Sequence, residues 1–216
     1  MSTLRTISGF KERLAGGGAR PNLFEVEIPN FPEPIQNFWK TGATNEIETF
    51  KFLCKTAQLP ASTIAPIDVP FRGRILKVAG DRTFDTWAVT VINDEDFQLR
   101  TAFERWMNHI SKLDNNSGAT NPTSYMVDAF VHQLGRGYDK GKVSTTNNGG
   151  AALPSIPVKP LRTYKFFDIF PTSVSAIDLS YDSSDTIEEY TVEFQVQYWT
   201  AGKGNGGNDQ TGVLIN

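Results

Sequence analysis

A single cysteine, Cys54, stands in the whole chain, so no internal disulfide can staple the fold. Two histidines, His109 and His132, with no Cys/His cluster around them, exclude the common structural zinc patterns. No run approaches the ~18 consecutive apolar residues of a membrane span, and the start MSTLRTISGFKERL lacks the apolar stretch of a signal peptide. A soluble protein made in the cytoplasm, with no membrane anchor, is the expectation. A basic excess is missing too. With 21 Lys and Arg against 24 Asp and Glu, the net charge of -3 argues against a nucleic-acid binder driven by counterion release.

What is present is a sizeable core: 39% hydrophobic residues, with 15 Phe, 6 Tyr and 4 Trp, in 216 residues. That suits one large domain or one domain with long insertions. Charge is uneven along the chain. Residues 166–202 carry Asp168, Asp178, Asp182, Asp185, Glu188, Glu189 and Glu193 and no Lys or Arg. Such a run is either a solvated face or a surface that repels a polyanion and meets a basic partner.

The periodicity is mostly that of strands. Asn22 to Ile28 alternates up to Pro29; a proline-bearing excursion follows over 29–49, and Thr49 to Leu59 predicts another strand. Thr63 to Val69 and Arg74 to Val78, joined through Pro70, Phe71, Arg72 and Gly73, predict a hairpin. Phe84 to Ile92 predicts a half-buried strand. Asn93 and Asp94 then supply an N-cap for an amphipathic helix over 95–111, with Leu99, Phe103, Trp106 and Ile110 on one face. A second, short candidate helix covers Ser8 to Leu14. Tyr125 to Leu134, Arg162 to Phe170 and Ser173 to Leu179 predict strands, with a break at Pro171 and a Gly/Pro/Asn-rich insertion at 135–160. From Tyr190 to Tyr198 one face is Tyr190, Val192, Phe194, Val196 and Tyr198, and the other holds Thr191, Glu193, Gln195 and Gln197. The sum is eight or nine strands and one main helix: a mainly β, antiparallel sandwich or barrel with one flanking α-helix and long loop insertions, not a βαβ fold. Residues 1–200 read as a single domain with insertions at about 29–49 and 135–160, and residues 201–216 as a flexible Gly-rich tail.

A search for chemistry finds little. His109 and His132 lie on a predicted helix and strand and read as structural, and Cys54 reads as a small buried hydrophobe. Glu188 and Glu189 are adjacent, so on a strand they point to opposite faces and form no glycosidase dyad. The triplet Gly16, Gly17, Gly18 lacks the strand before it and the Lys-Ser/Thr after it that a phosphate loop requires. Arg72, Arg74, Lys77 and Arg82 around the hairpin are either ordinary surface or a subunit contact, complementary to the acidic segment.

Several segments carry a resemblance: Ala19-Arg20-Pro21-Asn22-Leu23-Phe24 with Glu27-Ile28; Cys54-Lys55 with Leu59-Pro60; and Val78-Ala79-Gly80-Asp81-Arg82-Thr83-Phe84-Asp85 with Trp87 and Val89-Thr90-Val91. It continues through Asn93-Asp94-Glu95, Phe103 and Trp106, Pro171 and Val174, the Asp182-Ser183 turn, and Tyr198-Trp199. In this order they resemble the tail tube proteins of T4-type contractile-tailed bacteriophages, from about residue 16 to residue 200. The longer excursion before Thr49, the insertion at 135–160 and the C-terminal tail depart from that pattern.

The resemblance implies a structural virion protein, not an enzyme, without cofactors. It implies self-association into hexameric rings that stack into a hollow tube, whose sheets merge into a continuous inner barrel. A contractile sheath surrounds the tube, baseplate and tail terminator proteins meet its ends, and phage DNA passes through the lumen without sequence-specific binding. Assembly would take place in the bacterial host cytoplasm. Within the same machine, a tube-initiating baseplate protein shares the fold, as does the tube of a non-phage contractile injection system. A β-barrel enzyme or small-molecule binder is the alternative outside it and would need a closed apolar pocket with convergent polar groups. Glu189, Glu193, Gln195 and Gln197 are candidate lumen or inter-subunit positions, because they lie opposite the core face of the last strand. Arg72, Arg74 and Lys77 mark a candidate subunit-contact hairpin.

Overall fold

The computed structural model describes residues 7, 9–10, 18–33, 35–36, 46–138 and 158–203. Among them are nine strands: β1 (Phe24–Glu27), β2 (Cys54–Ala57), β3 (Ser62–Phe71), β4 (Arg74–Phe84), β5 (Trp87–Ile92), β6 (Val127–Tyr138), β7 (Val158–Val174), β8 (Glu189–Gln195) and β9 (Tyr198–Lys203). Two α-helices, α1 (Glu46–Leu53) and α2 (Gln98–Ile110), and a 3-10 turn at Pro122–Ser124 accompany them, and residues 33 and 35–36 are helical as well. Seven strands hydrogen-bond in the order β1-β6-β7-β8-β5-β2, with β9 on β7; β3 and β4 form a separate two-stranded sheet. The main sheet is open, not a closed barrel. The expected mainly antiparallel β architecture with one principal flanking helix is present.

The chain divides into two compact units, one of residues 1–25, 132–163 and 201–216 and one of residues 26–131 and 164–200. In the smaller unit, the Leu134 amide donates to the Leu23 carbonyl at 2.8 Å and the Gln133 side-chain amide donates to the Arg20 and Leu23 carbonyls. His132 Nδ1 shares a hydrogen bond with Thr163 Oγ1 at 2.9 Å. The larger unit holds an aromatic core. On β5 and β8, Trp87, Val89, Val91, Tyr190, Val192 and Phe194 are buried, and α2 buries Leu99, Ala102, Phe103 and Trp106, the i, i+3, i+4, i+7 set of one helical face. Phe103 makes edge contacts with Phe31, Phe50, Tyr190 and Phe194, and Trp87 stacks on Phe166 at 4.5 Å between centroids. Such pairs add ~0.5–1.5 kcal/mol each beyond area burial. Three indole N–H groups anchor connecting segments through backbone carbonyls: Trp87 to Gln58, Trp106 to Tyr125 and Trp199 to Ala61.

Several sequence expectations need correction. Thr49–Leu59 is not one strand: α1 runs to Leu53 before β2 begins. Alternation of Phe50 and Phe52 mimicked a strand, but Phe50 is fully buried while Phe52 is exposed, and Cys54, four residues after Phe50, is the next buried position. Helical spacing decided the matter. The N-cap is not Asn93 or Asp94 but Phe97, in the left-handed region at φ 53 with no side-chain cap. Asn93 is committed elsewhere: its amide Nδ2 donates to Glu188 Oε2 at 2.9 Å and its backbone N–H to the Glu188 carbonyl. Asp94 instead accepts the Phe97 amide in a turn, which delays the helix.

Pro171 does not break β7. It sits at a register shift opposite β8, where the ladder lacks a bond that its missing N–H would otherwise have to make. The strand expected over Ser173–Leu179 ends at Val174, and the last strand divides at Val196 and Gln197. There the Gln197 amide donates to the Phe167 carbonyl and β9 continues along β7. Tyr198 consequently leaves the core face, stacking on Phe167 with centroids 4.4 Å apart while half exposed. The insertion expected over 135–160 is strand up to Tyr138 and again from Val158. Residues 139–157, the tail from 204, most of Ser8–Leu14, residues 37–45 and Gly16 and Gly17 lie outside the described residues.

Candidate functional site: a polar sheet face and an exposed hairpin

Strands β5 and β8 pair with Thr90 opposite Thr191, Ala88 opposite Glu193 and Ile92 opposite Glu189. Residues directly opposite in an antiparallel ladder share a face. On the flanks, Thr56 of β2 stands opposite Thr90, Ser173 of β7 opposite Glu193, and Phe170 opposite Gln195. The middle of the face turned away from α2 therefore carries short polar or small side chains, Thr56, Thr90, Thr191, Ala88 and Ser173, and the half-buried apolar Ile92 and Phe170 lie on the same face beside Glu189 and Gln195. Thr90 Oγ1 and Thr191 Oγ1 are 3.2 Å apart and hydrogen-bonded. Its charged members are acidic. Glu193 is exposed, and Glu189 is engaged by Lys55 Nζ, a surface pair worth ~0–1 kcal/mol.

Glu189, Glu193 and Gln195 thus occupy one face, with Glu193 its free acid. Gln197 lies beyond the bend, exposed, and does not join them. The alternation of β8 was the sequence signal for this face. The threonine rows of β2 and β5 were not singled out, because their recruitment depends on register between distant strands.

The second feature is the β3–β4 hairpin. Its turn is two residues, Arg72 at φ 43 and Gly73 at φ 80, the doubly left-handed geometry that matches strand twist and in which glycine is favoured. Register places Phe71 opposite Arg74, Val69 opposite Leu76 and Ile67 opposite Val78, all on one face. The other face pairs Pro70 with Ile75 and Asp68 with Lys77, whose Nζ bonds Asp68 Oδ1 at 3.1 Å. Every residue of β3 is exposed. Arg72 lies over the Phe71 ring at 5.4 Å. Arg72 and Arg74 come together at the tip, whereas Lys77 is on the opposite face from the apolar stripe and is already paired. Near the hairpin base a register shift falls between Ile64 and Pro66, and a Cβ on Gly80 would stand 2.5 Å from the Ala65 carbonyl oxygen.

Among the described residues, conventional catalytic groups do not converge. Cys54 donates to the Thr56 carbonyl, and burial pushes its thiol up to about 12, far from thiolate reactivity. His109 lines a cleft of about 330 Å³ with Phe31, Glu33, Ser124 and Met126. Ser124 Oγ already donates to the Asn121 carbonyl at 2.7 Å, so no Ser–His pair is formed there. Tyr190 is buried beside α2 with its phenol raised above the usual range, first by burial and then by the charges of Asp94 and Glu104. Among the described residues no cluster of three or more His, Cys, Asp or Glu could hold a metal ion.

Similarities to known proteins bear on this geometry. The family model described as phage tail tube protein matches residues 19–202. The tail tube protein gp19 of Enterobacteria phage T4 is 32% identical over 185 residues, 86% of this chain and 93% of its own length, and that of phage T6 is 31% identical over the same extent. Among solved structures, a chain of the anti-feeding prophage baseplate, 6-fold symmetrised, aligns with a TM-score of 0.56 at 12% identity, over 87% of this chain and 97% of that one. A chain of the sheath/tube terminator of the PVC extracellular contractile injection system aligns with a TM-score of 0.51 at 13% identity, over 86% and 96%. At these identities the two structures speak for the fold.

Proposed function

The chain belongs to the phage tail tube protein family, and from that premise we propose that six copies form a ring, that rings stack into the inner tube of a contractile tail, and that the genome leaves through the lumen. On this reading the protein is a conduit and catalyses no reaction. A sheath protein surrounds the tube, baseplate and terminator proteins meet its two ends, and subunits assemble in the host cytoplasm before becoming part of the virion.

One observation carries the conduit reading: the sheet face opposite α2 has a row of threonines at its middle and the acids Glu189 and Glu193 along β8, and Lys55, its basic neighbour, is engaged by Glu189. DNA is a dense polyanion held by free Lys and Arg through counterion release, so a wall with Thr56, Thr90, Thr191 and Glu193 gives passing DNA nothing to grip. We assign Glu189, Glu193 and Gln195 to the lumen wall and Gln197, past the bend, to its inter-subunit margin. The arginine-tipped hairpin, Arg72 and Arg74 with Lys77 behind them, reaches a neighbouring subunit.

The test is electron microscopy of the purified protein across a concentration series, followed by a map of the assembled form. Hollow stacks of six-membered rings with Glu193 facing the channel are expected. Rings with Glu193 on the outer, sheath-facing side would refute the lumen assignment, and a protein that forms no ring at any concentration would refute the assembly itself.

A further inference from the structure

Among the described residues, nothing covers an apolar stripe on the hairpin. Ile67, Val69, Phe71, Leu76 and Val78 share one face, and all five are among the exposed large hydrophobics. Arg74 stands beside Phe71 at the end of that stripe, and Arg72 over its ring. A second surface with no partner among the described residues lies on the loop between β7 and β8. Ten consecutive residues, 178–187, are exposed. They include Leu179 at 80%, Ile187 at 71% and a fully exposed Tyr181, interleaved with Asp178, Asp182 and Asp185 and with no basic residue. No ion pair among the described residues engages those three aspartates, or Arg72 and Arg74.

The two surfaces complement each other in both respects, large apolar groups on each and opposite sign of free charge. We infer that the tip and apolar stripe of the β3–β4 hairpin of one subunit dock on the 178–187 loop of a second copy, with Phe71 and Leu76 against Leu179, Tyr181 and Ile187, and Arg72 and Arg74 against Asp182 and Asp185. This inference rests on the ring-and-tube reading and names the surface that receives the hairpin. A second copy is favoured over a nucleic acid because phosphates would satisfy the two arginines but leave five apolar side chains wet. The 178–187 loop is favoured over the Glu95–Phe97 turn, which is also exposed and acidic, because it offers three exposed large apolar side chains where that turn offers one.

The experiment mixes two single variants, Phe71→Cys and Tyr181→Cys, and treats the mixture with a short bifunctional maleimide while rings are counted by electron microscopy. Buried Cys54 stays silent in the native protein. A cross-linked dimer that requires both variants is expected, whereas Phe71→Cys mixed with Phe97→Cys, a second exposed aromatic position, gives none. Rings without the Phe71–Tyr181 cross-link, or equal cross-linking to position 97, overturn the inference and leave the ring reading standing. No rings in the wild-type protein overturn both. A charge swap is the independent check. R72E/R74E raises the protein concentration needed for assembly at least about tenfold, and adding D182R/D185R to the same chain restores it. Failure of the swap to restore assembly counts against the pairing.

Discussion

Truncating Phe71 and Leu76 to alanine together separates the two roles an apolar side chain can have, holding a subunit folded and holding subunits to each other. In the free subunit Phe71 is 66% exposed and Leu76 61%. Fully burying such a side chain is worth ~1.5–3 kcal/mol. About a third of that, ~0.5–1 kcal/mol per residue, is the most either contributes to the folded monomer. The larger share, ~1–2 kcal/mol each, is realised only when the stripe is covered. The double variant therefore loses ~2–4 kcal/mol per hairpin contact, a ~30-fold to ~800-fold weakening of association at 1.36 kcal/mol per decade. Its unfolding free energy falls by no more than ~2 kcal/mol. Two assays read the two quantities: denaturant unfolding of dilute protein, and the assembly threshold by sedimentation with electron microscopy. Assembly at the wild-type threshold would refute the reasoning. So would a loss of monomer stability well beyond ~2 kcal/mol, which would mean the stripe is covered within its own subunit.

Three further outcomes are expected. Phe103→Ala, at the centre of the ring contacts with Phe31, Phe50, Tyr190 and Phe194, costs ~3–5 kcal/mol in denaturant unfolding, the reverse of the hairpin pattern. Stability declines in alkali: burial raises the Cys54 thiol from 9.0 to about 12, so the unfolded chain gives up its proton first, and stability that is fully present below pH 9 is lost as pH rises through that window, at up to ~1.4 kcal/mol per pH unit. Cys54→Ala flattens that slope between pH 9 and 10, leaving the fall above pH 10 that the raised Tyr190 phenol adds; an unchanged slope would contradict the assignment. Gly80→Val drives a side chain into the Ala65 carbonyl at the hairpin bulge, so it raises the assembly threshold while leaving core unfolding within ~1 kcal/mol, measured by the same two assays.

What could be read from residues alone was whatever a single element decides. The faces of β8 and α2 are written in their own periods, because one side of each meets a core and the other does not. The hairpin was legible from Arg72-Gly73 between two strand-like runs, and the tail-tube resemblance from motifs spread along the chain. The misses occurred where a distant residue outbid a local preference. Asn93 would cap a helix in isolation, but Glu188 takes its side chain. Pro171 would end a strand in isolation, but a register shift against β8 absorbs it. The polar face is the same case at larger scale: Thr56, Thr90 and Thr191 come from three strands far apart in sequence, and only their register makes them neighbours.

The exposed stripe on β3 and β4 also bears on the life of the subunit before it is incorporated. A newly made chain carries an adhesive stripe that the described residues leave uncovered, since its two-stranded sheet is separate from the main sheet. Contiguous apolar patches of this kind make a protein prone to indiscriminate sticking. On the tube reading proposed above, synthesis matched to the supply of growing tube ends serves assembly better than a stockpile of free subunits.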